Sequence, residues 1–88
     1  MLESIKVSLR IKTDAFDAEI NDLISAALKD LNIAGILLND NTDPLIKRAV
    51  SIYVTANFGR NNPDADRLQA SYVTLKQHLA LSGDYNVG

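Results

Sequence analysis

An 88-residue chain with no cysteine has disulfides, thiolate metal sites and cysteine nucleophiles closed to it, and at this size it buries only about 60–65% of its unfolded surface, so its core is thin. Hydrophobic residues at 47% and charged residues at 23% are ordinary globular usage and exclude wholesale disorder. A net charge of −2 and an isoelectric point near 5.1 weigh against a nucleic-acid binder that works by neutralising phosphates.

The opening "MLESIKVSLRIK" alternates charge with aliphatic side chains and never makes the unbroken apolar run of a signal peptide, and no segment approaches the roughly 18 apolar residues of a membrane span. Its periodicity divides. Ile5, Val7, Leu9 and Ile11 alternate as in a strand, while Leu2, Ile5 and Leu9 fit one face of a helix. A lone strand would find no partner elsewhere in the chain, so a short helix is predicted.

The clearest helix follows. Phe16, Ile20, Leu23, Ile24, Ala27, Leu28 and Leu31 recur at three- and four-residue steps, with Asp17, Asn21, Asp22, Ser25 and Lys29 on the opposite side. Thr13 or Asp14 is placed to cap it, and Gly35 offers a left-handed stop after Ile33. In "AGILLNDN", Ala34 to Asn41, three consecutive aliphatics, Ile36, Leu37 and Leu38, then fall in an interhelical loop. Either they fold back over the end of the bundle or they form a subunit contact, and they are the candidate interface residues.

The third helix opens at "NTDPLIKRAV", with Asp43 as cap and Pro44 in the first turn, where its missing amide hydrogen costs nothing. From Leu45 to Phe58 apolar residues cover most of its circumference, leaving a narrow polar stripe through Arg48, Ser51 and Thr55. Such a helix belongs at the centre of a bundle, or keeps one face for another chain. In "ANFGRNNPDADRL" Gly59 closes this helix, Asn62 is a cap for the next, and Pro63, Asp64 and Asp66 suit its first turn. So short a link makes the flanking helices neighbours. The fourth helix carries Leu68, Tyr72, Leu75 and Leu79 as its buried stripe, Gly83 ends it, and the tail from about residue 84, "DYNVG", is expected to fray. The fold class predicted is all-α: a compact bundle of about four helices, the third central and mostly buried, forming one domain over residues 1–88.

Chemistry is sparse. His78 is the sole histidine, and most of the eleven acidic residues lie at helix starts or on polar faces, where capping and solubility account for them. The four glycines are scattered at helix ends and the terminus, so there is no phosphate-cradling loop. Lys47 and Arg48 sit near the start of the third helix, the wrong end for cations on dipole grounds; they mark either an i,i+4 pair with Asp43 or a contact with an acidic partner or nucleic acid. No catalytic, cofactor-binding or metal-binding residue is assigned.

The stretch "DPLIKRAVSIYVTANFGRNNPDADRLQASYVTLKQHLALSGDYN" resembles the small helical head-tail connector proteins of tailed bacteriophages and prophages, often labelled DNA-packaging proteins. "LESIKVSLRIKTDAFDAEINDLISAALKDLNIAGI" is similar to that family's opening: a short helix, an "LRI" exit, an acidic step and a long amphipathic helix. The resemblance implies a structural protomer, neither an enzyme nor a cofactor protein. It would be made in the bacterial host cytoplasm and assemble with copies of itself as a ring beneath the portal protein. There it extends the channel for passing DNA without sequence-specific binding and docks tail-completion or stopper proteins, away from any membrane. The link between the second and third helices and the C-terminal tail are shorter than in some relatives, so no individual contact residue is carried over. Two other readings compete. A small DNA-binding regulator would need a helix studded with base-reading side chains, and the fourth offers Arg67, Gln69, Lys76 and Gln77 amid acids. An acyl-carrier type of protein would need an Asp-Ser-Leu site, and no such triplet occurs.

Overall fold

The protein's structure, a computed structural model, describes residues 1–36, 43–59 and 62–82. It is all-α, with α1 over Leu2–Leu9, α2 over Asp17–Ile33, α3 over Pro44–Asn57 and α4 over Ala65–Leu81. The divided N-terminal pattern resolves as the helix, with Ile5 buried on its inner face and Leu2 and Leu9 half-buried beside it.

α3 is the centre. It packs most extensively on α4, next on α2, and meets α1 as well. Ile46, Ala49, Val50 and Val54 supply its inner face, and each is within 1% of complete burial. Ile20, Ile24, Ala27 and Leu31 of α2 and Tyr72 and Leu79 of α4 complete most of the core, while Leu68 and Leu75 of the predicted α4 stripe are only half-buried. Phe16 at the start of α2 stacks edge-on against Phe58 at the end of α3, with centroids 5.5 Å apart. Tyr53 of α3 meets Tyr72 of α4 in the same way at 5.1 Å. Phe16 with Phe58 joins the start of α2 to the end of α3, and Asn62, just before α4, bonds Thr55 near that same end, so α2 and α4 both run antiparallel to α3.

The helix ends show how the sequence stops and starts the chain. α1 and α2 close with the same hydrogen-bond pattern. In α1 the amides of Arg10 and Ile11 donate to the carbonyls of Val7 and Lys6; in α2 those of Gly35 and Ile36 donate to Asn32 and Leu31. This double bond pattern needs a left-handed residue and sets the following side chain against the last turn. Gly35 supplies it with φ +87°, as its position in the sequence predicts, and Ile36 is thereby placed in full burial beside Leu31. In α1 the left-handed residue is Arg10, at φ 60°, a conformation that is unfavourable for a residue with a Cβ. Gly59, at φ +81°, follows Phe58 and closes α3.

At the starts, Asp43 caps α3 as predicted, accepting the amides of Leu45 and Ile46 at 2.9 and 3.3 Å, with Pro44 in the first turn. α2 departs from expectation: Phe16 occupies the cap position without a side-chain bond. Thr13 Oγ1 instead receives the Ala15 amide at 3.2 Å, and the Asp14 carboxylate is drawn to Lys6 at 3.3 Å. Asn62 does not sit at the cap of α4, which is Asp64. Its side chain accepts the Asp64 amide and donates to the Thr55 carbonyl of α3, at 2.9 and 2.8 Å, so it ties the turn back to the preceding helix. Gly83 and the tail lie outside the described residues.

Replacing Arg10 by Gly is expected to stabilise the protein by about 0.5–1 kcal/mol, because it removes left-handed strain at a helix end, whereas Gly35→Ala should destabilise by about 1 kcal/mol for the same reason. Urea unfolding midpoints of the two variants measure both signs.

Candidate functional site

Two part-buried polar clusters join helix to helix, and their geometry is that of fasteners. Lys6 of α1 is 5% exposed. Its ammonium lies 2.8 Å from Asp17 Oδ1 and 3.3 Å from Asp14 Oδ1, and Asp17 Oδ1 is itself buried with the ammonium as the group that meets it. The contact to Asp17, joined by that to Asp14 and opposed by burial, raises the lysine's pKa above its ordinary 10.5. At the other end of α2, Asp30 Oδ2 accepts from the Tyr72 hydroxyl at 2.6 Å and from the Lys76 ammonium at 3.0 Å. Lys76 also lies 5.4 Å from the centre of the Tyr72 ring. The Tyr72 bond, more than Lys76, holds the Asp30 carboxyl below its ordinary 3.8, against the opposing effect of burial. Burial and the Asp30 carboxylate together push the Tyr72 phenol well above its ordinary 10.0.

Neither cluster sits in a cleft. Each ties two helices that packing alone joins weakly: α1 to α2, and α2 to α4 across α3. Among the described residues no three His, Asp or Glu side chains gather as they would around a metal ion, and no helix is long and apolar enough to cross a membrane.

The concave surface lies elsewhere, on the face where α3 and α4 run side by side. An open groove of about 510 Å³ has Ile52 and Leu75 as its apolar floor, Ala70, Ser71 and Thr74 as a low wall, and Arg48, Arg67 and His78 at its margins. A second hollow of about 410 Å³ continues it toward α1, between Ser4 and Ile5 on one side and Pro44, Lys47 and Ser51 on the other; Arg48 and Ile52 belong to both. The groove follows from the sequence of α4. Residues 67, 70, 71, 74 and 78 recur at helical spacing beside the buried stripe, and the small side chains among them leave α3 uncovered. Arg48 and His78, which sequence reading singled out without joining them, meet here.

Of the three residues proposed from the sequence as an interface, Ile36 is fully buried in the chain's own core, and Leu37 and Leu38 lie outside the described residues. The α3–α4 groove could not be read from the sequence as a surface, because Ile52 and Leu75 look like ordinary core positions until the neighbouring helix is in place.

The bundle is fastened by ion pairs between its helices, and its two hollows are open on an outer face. A family model described as phage connector protein matches residues 1–86; the chain belongs to the phage connector family and is a phage structural protein. No curated protein and no solved structure matches it.

The pH dependence of stability follows from the fasteners. Asp30 has a lowered pKa, so its contribution is present above 3.8 and is lost as the pH falls through the folded value. Lys6 and Tyr72 have raised pKa values, so theirs are present below 10.5 and 10.0 respectively and are lost as the pH rises beyond. Thermal melts should therefore show a plateau between about pH 5 and 9 with a fall on each side. Tyr72→Phe should lower stability by about 1–2 kcal/mol at neutral pH, since it removes a hydrogen bond to a charged group, and should make the acid limb shallower. Lys6→Met should lower the melting temperature by stranding Asp17 Oδ1.

Proposed function

We propose that this connector protein assembles as a ring beneath the portal at one capsid vertex, extends the channel through which DNA passes, and presents a docking surface to tail-completion or stopper proteins. The observation that carries this reading is the family match over residues 1–86, which leaves almost none of the single helical domain of residues 1–88 outside the family's pattern. The protomer would be made in the bacterial host cytoplasm and end at the head-tail junction of the virion.

Three physical features support the role. The core is thin, so a protomer gains stability by packing against copies of itself. The groove along α3 and α4 leaves part of the central helix open to a neighbour. The net charge of −2 suits a conduit, because a strongly basic lining would hold the passing phosphates. Within this reading Leu37 and Leu38 remain proposed subunit contacts, carried on a segment whose first residue, Ile36, is anchored in the core.

Native mass spectrometry of the purified chain over a wide concentration range, alone and with the portal protein of the same phage, should give a closed species of fixed copy number. A chain that stays monomeric and does not bind the portal overturns the proposal. Leu37→Ser with Leu38→Ser should abolish the closed species while leaving a folded protomer; an intact assembly from a less stable protomer removes those residues from the interface.

A further inference from the structure

The two exposed faces of the protomer are complementary in charge. The α3–α4 groove carries Arg48 and Arg67 at its margins, Lys47 lies in the hollow that continues it, and no carboxylate of the described residues lines either. Arg67 is 72% exposed and its one ion pair, to Asp64 at 3.4 Å, is a surface contact of small energetic value. The opposite charge is on α2. Glu19 and Asp22 are both exposed and three residues apart, so they share one face as like charges that repel each other, with Lys29 on the same outer side toward the far end of the helix. Neither makes an ion pair among the described residues, and no residue of α2 lines the groove.

We propose that the groove is the seat of a second copy of this chain, entered by the outer face of that copy's α2, with Arg48 and Arg67 meeting its Glu19 and Asp22 over the apolar floor of Ile52 and Leu75. This rests on the ring reading above and deepens it by naming the two surfaces that join. The charges also favour one kind of contact. A two-fold pairing of groove on groove would set arginines against arginines, and a pairing of the Glu19 and Asp22 ends of two α2 helices would set carboxylates against carboxylates. Groove on α2 uses different patches of the two partners, and such a head-to-tail contact repeats from subunit to subunit, closing as a ring where the rotation per subunit divides the full turn and running on as a filament where it does not. Because both patches are exposed, their attraction is screened by salt, and the association weakens as ionic strength rises.

A charge-exchange series tests this by sedimentation velocity and native mass spectrometry, with circular dichroism melts to confirm that each variant folds. The groove variant, Arg48→Glu with Arg67→Glu, and the helix variant, Glu19→Lys with Asp22→Lys, should each weaken self-association more than tenfold. The chain carrying all four substitutions should assemble again, and so should an equimolar mixture of the two variants, in which each groove meets an α2 of opposite sign. Assembly of either variant at wild-type strength, or failure of the four-fold variant and the mixture to recover, overturns the pairing and leaves the ring standing on other surfaces. A wild-type chain that never associates, alone or on the portal, overturns the ring and the pairing together. A groove variant that assembles normally but loses retention of duplex DNA or of a portal fragment reassigns the groove to that partner and overturns the proposal.

Discussion

Everything in this fold depends on covering α3. Its apolar residues run nearly the whole way round, and a helix of that kind is stable in water only when other elements close over it. The four residues of its inner face are within 1% of complete burial, and α2 and α4 lie along it in opposite sense as the two principal covers. α1 closes part of what remains. Among the described residues no further helix finishes the task, and the face between Arg48, Ile52 and Leu75 is left as a groove. The thinness of the core and the presence of an open concavity are thus one fact: the described helices do not wrap the central one completely.

Hydrophobic packing places the helices, and the two polar clusters, part-buried around Lys6 and Asp30, favour particular rotations of them. Lys6 admits only the docking of α1 that brings its ammonium to Asp14 and Asp17, because an unpaired lysine at that depth is strongly disfavoured. Asp30 joins Tyr72 and Lys76 across α3, linking two helices whose backbones approach less closely than either approaches α3. An eight-residue helix such as α1 is marginal alone, so its place in the structure is owed to Ile5 and to this ion pair.

The helices and most of their ends were legible in the sequence because their causes are local. The three- and four-residue spacing of aliphatics in α2, Pro44 after Asp43, and Gly35 after Ile33 each act within one or two turns of themselves. Errors came where a distant partner took a local device for its own use. Asp14 looked like a cap for α2 and became a ligand of Lys6; Asn62 looked like a cap for α4 and spends its amide on Thr55. Arg10 gave no signal at all, since nothing in its side chain marks a left-handed residue. Ile36 appeared beside Leu37 and Leu38 as one aliphatic loop, yet the hydrogen bonds that end α2 draw it into the core. The groove was illegible because it is made of the gap between two helices, and of the carboxylates set against it Glu19 suits a helix start and Asp22 reads as part of a polar face.

The clasp at Asp30 also gives the protein an optical property. The chain has no tryptophan and three tyrosines, so its ultraviolet emission comes from phenols alone. Tyr72 donates its hydroxyl to a carboxylate at 2.6 Å, an arrangement that quenches an excited phenol by drawing its proton away. Opening the contact between α2 and α4 therefore brightens the Tyr72 emission, and a label-free fluorescence signal reports on the bond between Tyr72 and Asp30.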